Sequence, residues 1–174
     1  LLRGMPFIDL AHLRKRDMQD GRITYSRHKT DKPITVRIPR EALVLIAKYA
    51  DRHSASPYLF PILDARIRDG WQSYRNYQDA LRHFNRKLGQ VMSRLLPGVR
   101  VSSYTARHTW ATLAFHSGQP VGIISQALGH SSLWVTETYL KPFGNELVDK
   151  ANRQLIASVR KCKWKNETEY RAGL

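Results

Sequence analysis

The chain has 174 residues, enough for one domain with a sizeable core, and its 42% hydrophobic content argues against disorder. Lys and Arg number 29 against 14 Asp and Glu, and the resulting net charge of +15 points to a polyanion, nucleic acid being the commonest. A single cysteine, Cys162, excludes an intrachain disulfide, and there is no signal peptide, spanning apolar run or sustained basic amphipathic face, so the chain reads as cytoplasmic rather than membrane-bound.

The chain opens Leu1-Leu2-Arg3 without an initiator methionine and reads as the core of something longer. Pro6 suits the first position of a helix through Leu13, with Phe7, Leu10 and Leu13 on one face. Asp20-Gly21 punctuates. Residues 22–27 and 33–38 alternate apolar and polar, as a two-strand ribbon does, with the turn at His28-Lys29-Thr30-Asp31-Lys32. Glu41 to Ala50 reads as a short helix. Residues 51–73 are loop-like, with Pro57, Pro61 and Gly70, although Tyr58-Leu59-Phe60 could be extended.

The clearest helix covers Tyr74 to Leu96, where Tyr77, Leu81, Phe84, Leu88, Val91 and Leu95 recur at steps of four and three. Arg75, Arg82, Arg86 and Lys87 occupy its other face, either as a solvated surface or as phosphate contacts. Pro97-Gly98 ends it. A helix from Ser103 to Ser117 is stopped by Gly118, and Pro120 begins a short helix that Gly129 caps. Ser131 or Ser132 can cap the next. The last helix is expected at 144–158, followed by a polar, basic tail that is loose or docks on a partner. No internal repeat is present. The fold class is mainly α with a small antiparallel β ribbon.

One stretch carries the chemistry. Leu128-Gly129-His130-Ser131-Ser132 leads to Thr136-Glu137-Thr138-Tyr139, which puts His130 and Tyr139 nine positions apart, downstream of the Arg107-His108 pair. A guanidinium and an imidazole can hold a phosphodiester while a phenol oxygen attacks phosphorus. The bland alternative is two unrelated helices with a surface histidine and a packed tyrosine.

The combination A-R-H-T, then L-G-H-x-S, then T-x-x-Y at a fixed offset resembles the tyrosine recombinase (phage integrase) family. The resemblance implies that residues 1–159 form the catalytic domain, with the family's N-terminal DNA-binding region absent and 160–174 a basic tail. It implies Tyr139 as nucleophile, Arg107 as the arginine of the H-x-x-R box, and His130 as the second histidine. A guanidinium can bind two phosphate oxygens at once, which a lysine cannot copy.

Three positions need comment. The box histidine is replaced by Tyr104, whose hydroxyl can donate a hydrogen bond but is a poor general base near neutral pH. Neighbouring His108 is expected to point elsewhere, because adjacent helix positions diverge by about 100°. Lys29 resembles the family's hairpin lysine, which implies protonation of the departing 5′ oxygen. The family's R-x-x-E-L pattern aligns Asp9-Leu10 with its acid and leucine, and so puts Pro6 at the arginine's place. Arg3 lies three residues earlier. It could swing in, or another arginine could substitute, with Asp9 as the acid that holds it.

Arg27, His28, Lys29 and Arg107 are the expected DNA contacts. The implied reaction needs neither metal nor nucleotide cofactor. The implied partner is double-stranded DNA, bound as a tetramer, with a monomer compatible with the free state. The setting is the nucleoid, and the gene that of a bacterium, phage or mobile element. Competing readings are a DNA-binding protein of this fold with weakened catalysis, a type IB topoisomerase, and a metal nuclease using His108, His116 and His130, for which no acidic ligand cluster is evident.

Overall fold

A computed structural model describes residues 2–140 and 142–171. The chain divides after Leu140 into two units. The first holds a three-stranded antiparallel sheet and six helices; the second is one helix, α7 (Asn145–Arg171).

α1 (Phe7–His12) starts one residue later than expected, with extended Pro6 just outside it. A 3-10 turn (Lys15–Asp17) leads to β1 (Met18–Gln19), a strand that the alternation did not indicate. Asp20 and Gly21 both have positive φ, 49° and 68°, which makes them a two-residue hairpin turn between β1 and β2 (Arg22–Ser26). β3 (Pro33–Arg37) pairs with β2 in the register Ile23↔Val36 and Tyr25↔Ile34. Ile23, Ile34 and Val36 therefore lie on one buried face, as a period of two requires.

That face packs into the first core cluster. Leu13, Ile23, Ile38 and Leu59 meet Ala42 and Ile46 from α2 (Arg40–Tyr49). Tyr58 bridges Arg14, and the Leu59 amide donates to the Leu13 carbonyl at 2.7 Å, so the segment read as extended is so.

α3 (Gly70–Leu95) begins four residues before the expected Tyr74, because the Asp69 carboxylate caps it by accepting from the Gln72 amide at 2.8 Å. Its Tyr77, Ala80 and Leu81 pack on Phe7, Ala11 and Leu63, and Phe84 stacks on Phe7 at 4.8 Å. Val91 and Leu95, at the far end of the same stripe, stay exposed.

The third cluster lies under the candidate site. Ala111 of α4 (Thr105–His116) meets Ile124 and Leu128 of α5 (Val121–Leu128), with Tyr139 and Leu140 against them. Gly129 ends α5 in the left-handed conformation, φ 65°, and Ser132 caps α6 (Leu133–Glu137).

α7 runs on to Arg171, past the expected end at 158. The backbone of most of the segment read as a tail is therefore helical, and residues 172–174 fall outside the described residues. Among the described residues no helix is long and apolar enough to cross a membrane.

Ile23 is fully buried where sheet and α2 meet. Ile23→Ala is expected to lower the unfolding free energy by about 2–5 kcal/mol, seen as a lower urea midpoint at unchanged slope. A loss below about 0.5 kcal/mol, typical of surface substitutions, would contradict this packing.

Candidate active site

Three segments supply the site. The start of α4 contributes Tyr104, Arg107 and His108; the loop after α5 contributes Gly129 and His130; α6 and its C-terminal side contribute Thr136 and Tyr139. The side chains are close because Ala111, Ile124 and Leu128 pack beneath them.

Arg107 is only 2% exposed, although it is fully charged chemistry in a basic chain. Its Nη1 donates to the Gly4 carbonyl at 2.9 Å, and its Nη2 to the Leu128 carbonyl at 2.5 Å and to His130 Nε2 at 3.1 Å. A guanidinium has five N–H groups, so these three bonds leave two, and the guanidinium also shares a side-chain hydrogen bond with Tyr139. Nε is one of the two, buried and without a hydrogen-bond partner among the described residues. Burial and the nearby Arg27 both push the Arg107 pKa down.

His130 is 5% exposed. A guanidinium can only donate, so Nε2 accepts from Arg107 and the ring proton sits on Nδ1, facing Thr136 Oγ1 at 2.8 Å. Burial, then Arg107, Arg27, Lys29 and Lys32, push its pKa down to about 4. The imidazole is therefore neutral at pH 7.

Tyr139 is half-buried. Its hydroxyl pairs with that of Tyr104, and its ring stacks on His108 with centroids 4.3 Å apart and planes 19° apart. Its backbone carbonyl accepts from Thr112 Oγ1 at 3.2 Å. Burial raises its pKa, as does the hydrogen bond shared with Tyr104, while Arg107 pulls the other way.

His108 does not point elsewhere. Tyr104 and His108 are one helical turn apart and share a face, and the Tyr139 ring is broad enough to rest on both while Arg107 turns inward beside them. A rule about helix angles could not anticipate a ring arriving from α6.

Arg27, expected at the DNA surface, lies inside at 4% exposed. Its Nη1 donates to the Gly129 carbonyl at 2.9 Å and its Nε lies 3.9 Å from Asp9 Oδ2. It turns inward because the end of β2 places it against Asp9, a buried carboxylate whose other oxygen accepts from the His28 amide at 2.9 Å. His28 is exposed and its ring stacks on His12 at 5.0 Å.

Lys29 is exposed on the turn, within electrostatic reach of His130. Lys32, which the sequence did not single out, donates to the His130 carbonyl at 2.8 Å. Arg3 has positive φ, 50°, and its Nη1 meets the Thr35 carbonyl at 3.4 Å; among the described contacts it does not touch Arg107, His130 or Tyr139. Its neighbour Gly4 does, through the Arg107 bond. Among the described residues no three metal-ligating side chains come together, His108, His116 and His130 included.

The chain is 28% identical over 153 residues to the tyrosine recombinase XerA of Pyrococcus furiosus, covering 86% of this chain and 50% of that protein. It is 29% identical over 140 residues to XerA of Thermococcus kodakarensis, covering 79% of this chain and 46% of that one. The chain thus spans about half the length of these curated relatives.

Among solved structures, a XerA recombinase superposes with a TM-score of 0.62 at 20% identity, over 88% of this chain and 53% of that one. The XerH site-specific recombinase bound to a palindromic difH substrate, a post-cleavage complex, also gives 0.62, at 17% identity over 86% and 42%. At such identities the likeness establishes the fold, mainly helical with a small antiparallel sheet. A sequence model of the phage integrase family matches residues 3–146, most of the chain. The chain belongs to the phage integrase family.

Proposed function

We propose that this chain is the catalytic part of a DNA-breaking and rejoining recombinase that works on double-stranded DNA in the cytoplasm, as a tetramer when assembled on its site. The observation that carries the reading is the meeting of Tyr139, Arg107 and His130, 23 and 9 positions from one another along the chain, over one small core. XerH was solved on its difH substrate, and the integrase of the Tn1549 transposon in complex with circular intermediate DNA, with a TM-score of 0.60 to this fold. Both support DNA as the partner.

In this reading the Arg107 guanidinium, which lies against Tyr139, binds a non-bridging oxygen of the scissile phosphate. His130, positioned by Thr136, lies beside it. Tyr139 Oη attacks phosphorus and forms the 3′-phosphotyrosyl bond. Its proton passes to the Tyr104 hydroxyl, which hands its own to water. The bond to the 5′ oxygen breaks, and that oxygen takes a proton from Lys29. Bond energy is kept in the phosphotyrosine, so rejoining is the same path reversed. The pairing of Tyr104 with Tyr139 supports a working site rather than a weakened one, since a hydroxyl stands beside the nucleophile. Arg3 stays an expectation of the resemblance; Arg27 is the second guanidinium that bears on Arg107 and His130.

The reading is tested with a nicked suicide duplex and the intact protein. Tyr139→Phe should abolish the covalent adduct and leave DNA affinity nearly unchanged, because only one oxygen is lost and affinity rests on lysine and arginine contacts to phosphates. An adduct that persists in Tyr139→Phe, or maps to Tyr104, sinks the nucleophile assignment.

Tyr104→Phe should slow single-turnover cleavage by roughly tenfold to a hundredfold, as loss of one hydrogen-bonding partner of the reacting oxygen would. A wild-type rate would make Tyr104 a packing residue.

His130 titrates near 4 when folded against an ordinary value of 6.5. Its neutral form contributes stability that is fully present above pH 6.5. That stability is lost as the pH falls toward 4, because the unfolded chain takes up the proton first. The melting temperature of His130→Gln, which cannot titrate, should therefore drop less than wild type between pH 6.5 and 4. Equal losses would mean that the acid sensitivity arises elsewhere.

A further inference from the structure

The turn between β2 and β3 is tied to the histidine loop by more than packing. Three donors from the turn reach two consecutive carbonyls. Arg27 Nη1 and Thr30 Oγ1 donate to Gly129 O at 2.9 and 3.4 Å, and Lys32 Nζ donates to His130 O at 2.8 Å. The turn is also closed on itself. The Arg27 amide donates to the Lys32 carbonyl at 2.9 Å, and the Asp31 amide to the Arg27 carbonyl at 2.8 Å. Lys29 stands between these anchors, exposed and without a side-chain partner of its own in the described contacts. Arg27 is buried and holds the root of the turn. Lys32 holds the other side, at the residue whose imidazole belongs to the site.

We infer that Lys32 is a positioning residue: by gripping the His130 carbonyl it pins the turn so that Lys29 is presented to the phosphate held at Arg107 and His130. The inference rests on the reading of Lys29 as the proton donor to the leaving oxygen. The donor role falls to Lys29 and not Lys32, because the Lys32 ammonium is held at the His130 carbonyl while no such contact among the described residues holds Lys29. A hairpin tip is otherwise free to swing, and a misplacement of about 1 Å in a catalytic group can cost about a hundredfold in rate. The arrangement converts a mobile lysine into a placed one.

A substrate change separates this role from a general loss of structure. Replacing the scissile 5′ oxygen by sulfur makes the leaving group a thiolate, which departs without a proton, so a defect in proton donation vanishes on the sulfur substrate. With the intact protein, Lys32→Met should slow single-turnover cleavage of the ordinary duplex by roughly tenfold to a hundredfold. On the sulfur duplex it should cleave within a few-fold of wild type. Lys32→Arg, which keeps a donor to the carbonyl, should retain most activity on both. Lys29→Met should show the same rescue by sulfur, and the double variant should be no slower than Lys29→Met alone.

Equal slowing of Lys32→Met on both duplexes overturns the inference, as does a wild-type rate on the ordinary one, or a double variant slower than either single. Lys29→Met without sulfur rescue sinks the proton-donor reading itself, and the role of Lys32 falls with it. If Lys32→Met melts far below wild type, Lys32→Gln replaces it, with the same comparison of duplexes deciding.

Discussion

Arg107 is a cation inside the protein without a carboxylate of its own, and the site is arranged around that fact. Its guanidinium joins the segment before α1, the end of α5 and the His130 ring. Those partners are neutral dipoles. The one buried carboxylate nearby, Asp9, serves Arg27, and burial itself pushes Asp9 toward its neutral form. Two guanidiniums and at most one negative charge leave the region short of anions. An uncompensated buried charge is expensive, and proteins keep it where a ligand supplies the missing charge. In the proposed function a phosphate does so. Burial, with the same excess of positive charge behind it, keeps His130 neutral, so that the imidazole stays available for hydrogen bonding instead of adding a further cation.

Tyr139, the proposed nucleophile, is held under opposing influences. Burial and the Tyr104 hydroxyl favour the neutral phenol, and Arg107 favours the phenolate. The balance lies with the neutral phenol. The cushion under it is His108, whose ring holds the Tyr139 ring flat and limits where the oxygen can go.

Much of this was legible in the residues. The alternation in 22–27 and 33–38 specified the ribbon, since a period of two can bury only one face. Gly129 and Ser132 marked helix ends by the backbone and side-chain chemistry that ends require. The spacing of Arg107, His130 and Tyr139 marked three residues that the structure brings together. What stayed hidden depends on contacts between segments. Arg27 reads as a surface cation until β2 lays it against Asp9. Lys32 reads as one more turn lysine until the His130 carbonyl arrives. His108 reads as pointing away until Tyr139 crosses above it. The start of α3 was misjudged for a different reason: the apolar stripe begins at Tyr77, but Asp69 caps the helix two turns earlier.

Gly129 shows how tightly these levels are coupled. Its φ of 65° closes α5, a conformation that costs an L side chain about 1–2 kcal/mol. Its carbonyl receives Arg27 and Thr30, and so anchors the ribbon turn. A Cβ there would lie 2.6 Å from Ile34 Cδ1 and 3.1 Å from Arg27 Cδ, so the ribbon occupies the space that a side chain would need. Helix end, ribbon and histidine therefore share one residue. Any side chain at 129 would strain the helix end and force the Ile34 and Arg27 side chains to shift. The glycine in L-G-H is thus required by the ribbon as much as by the helix, which ties the turn bearing Lys29 to the loop bearing His130.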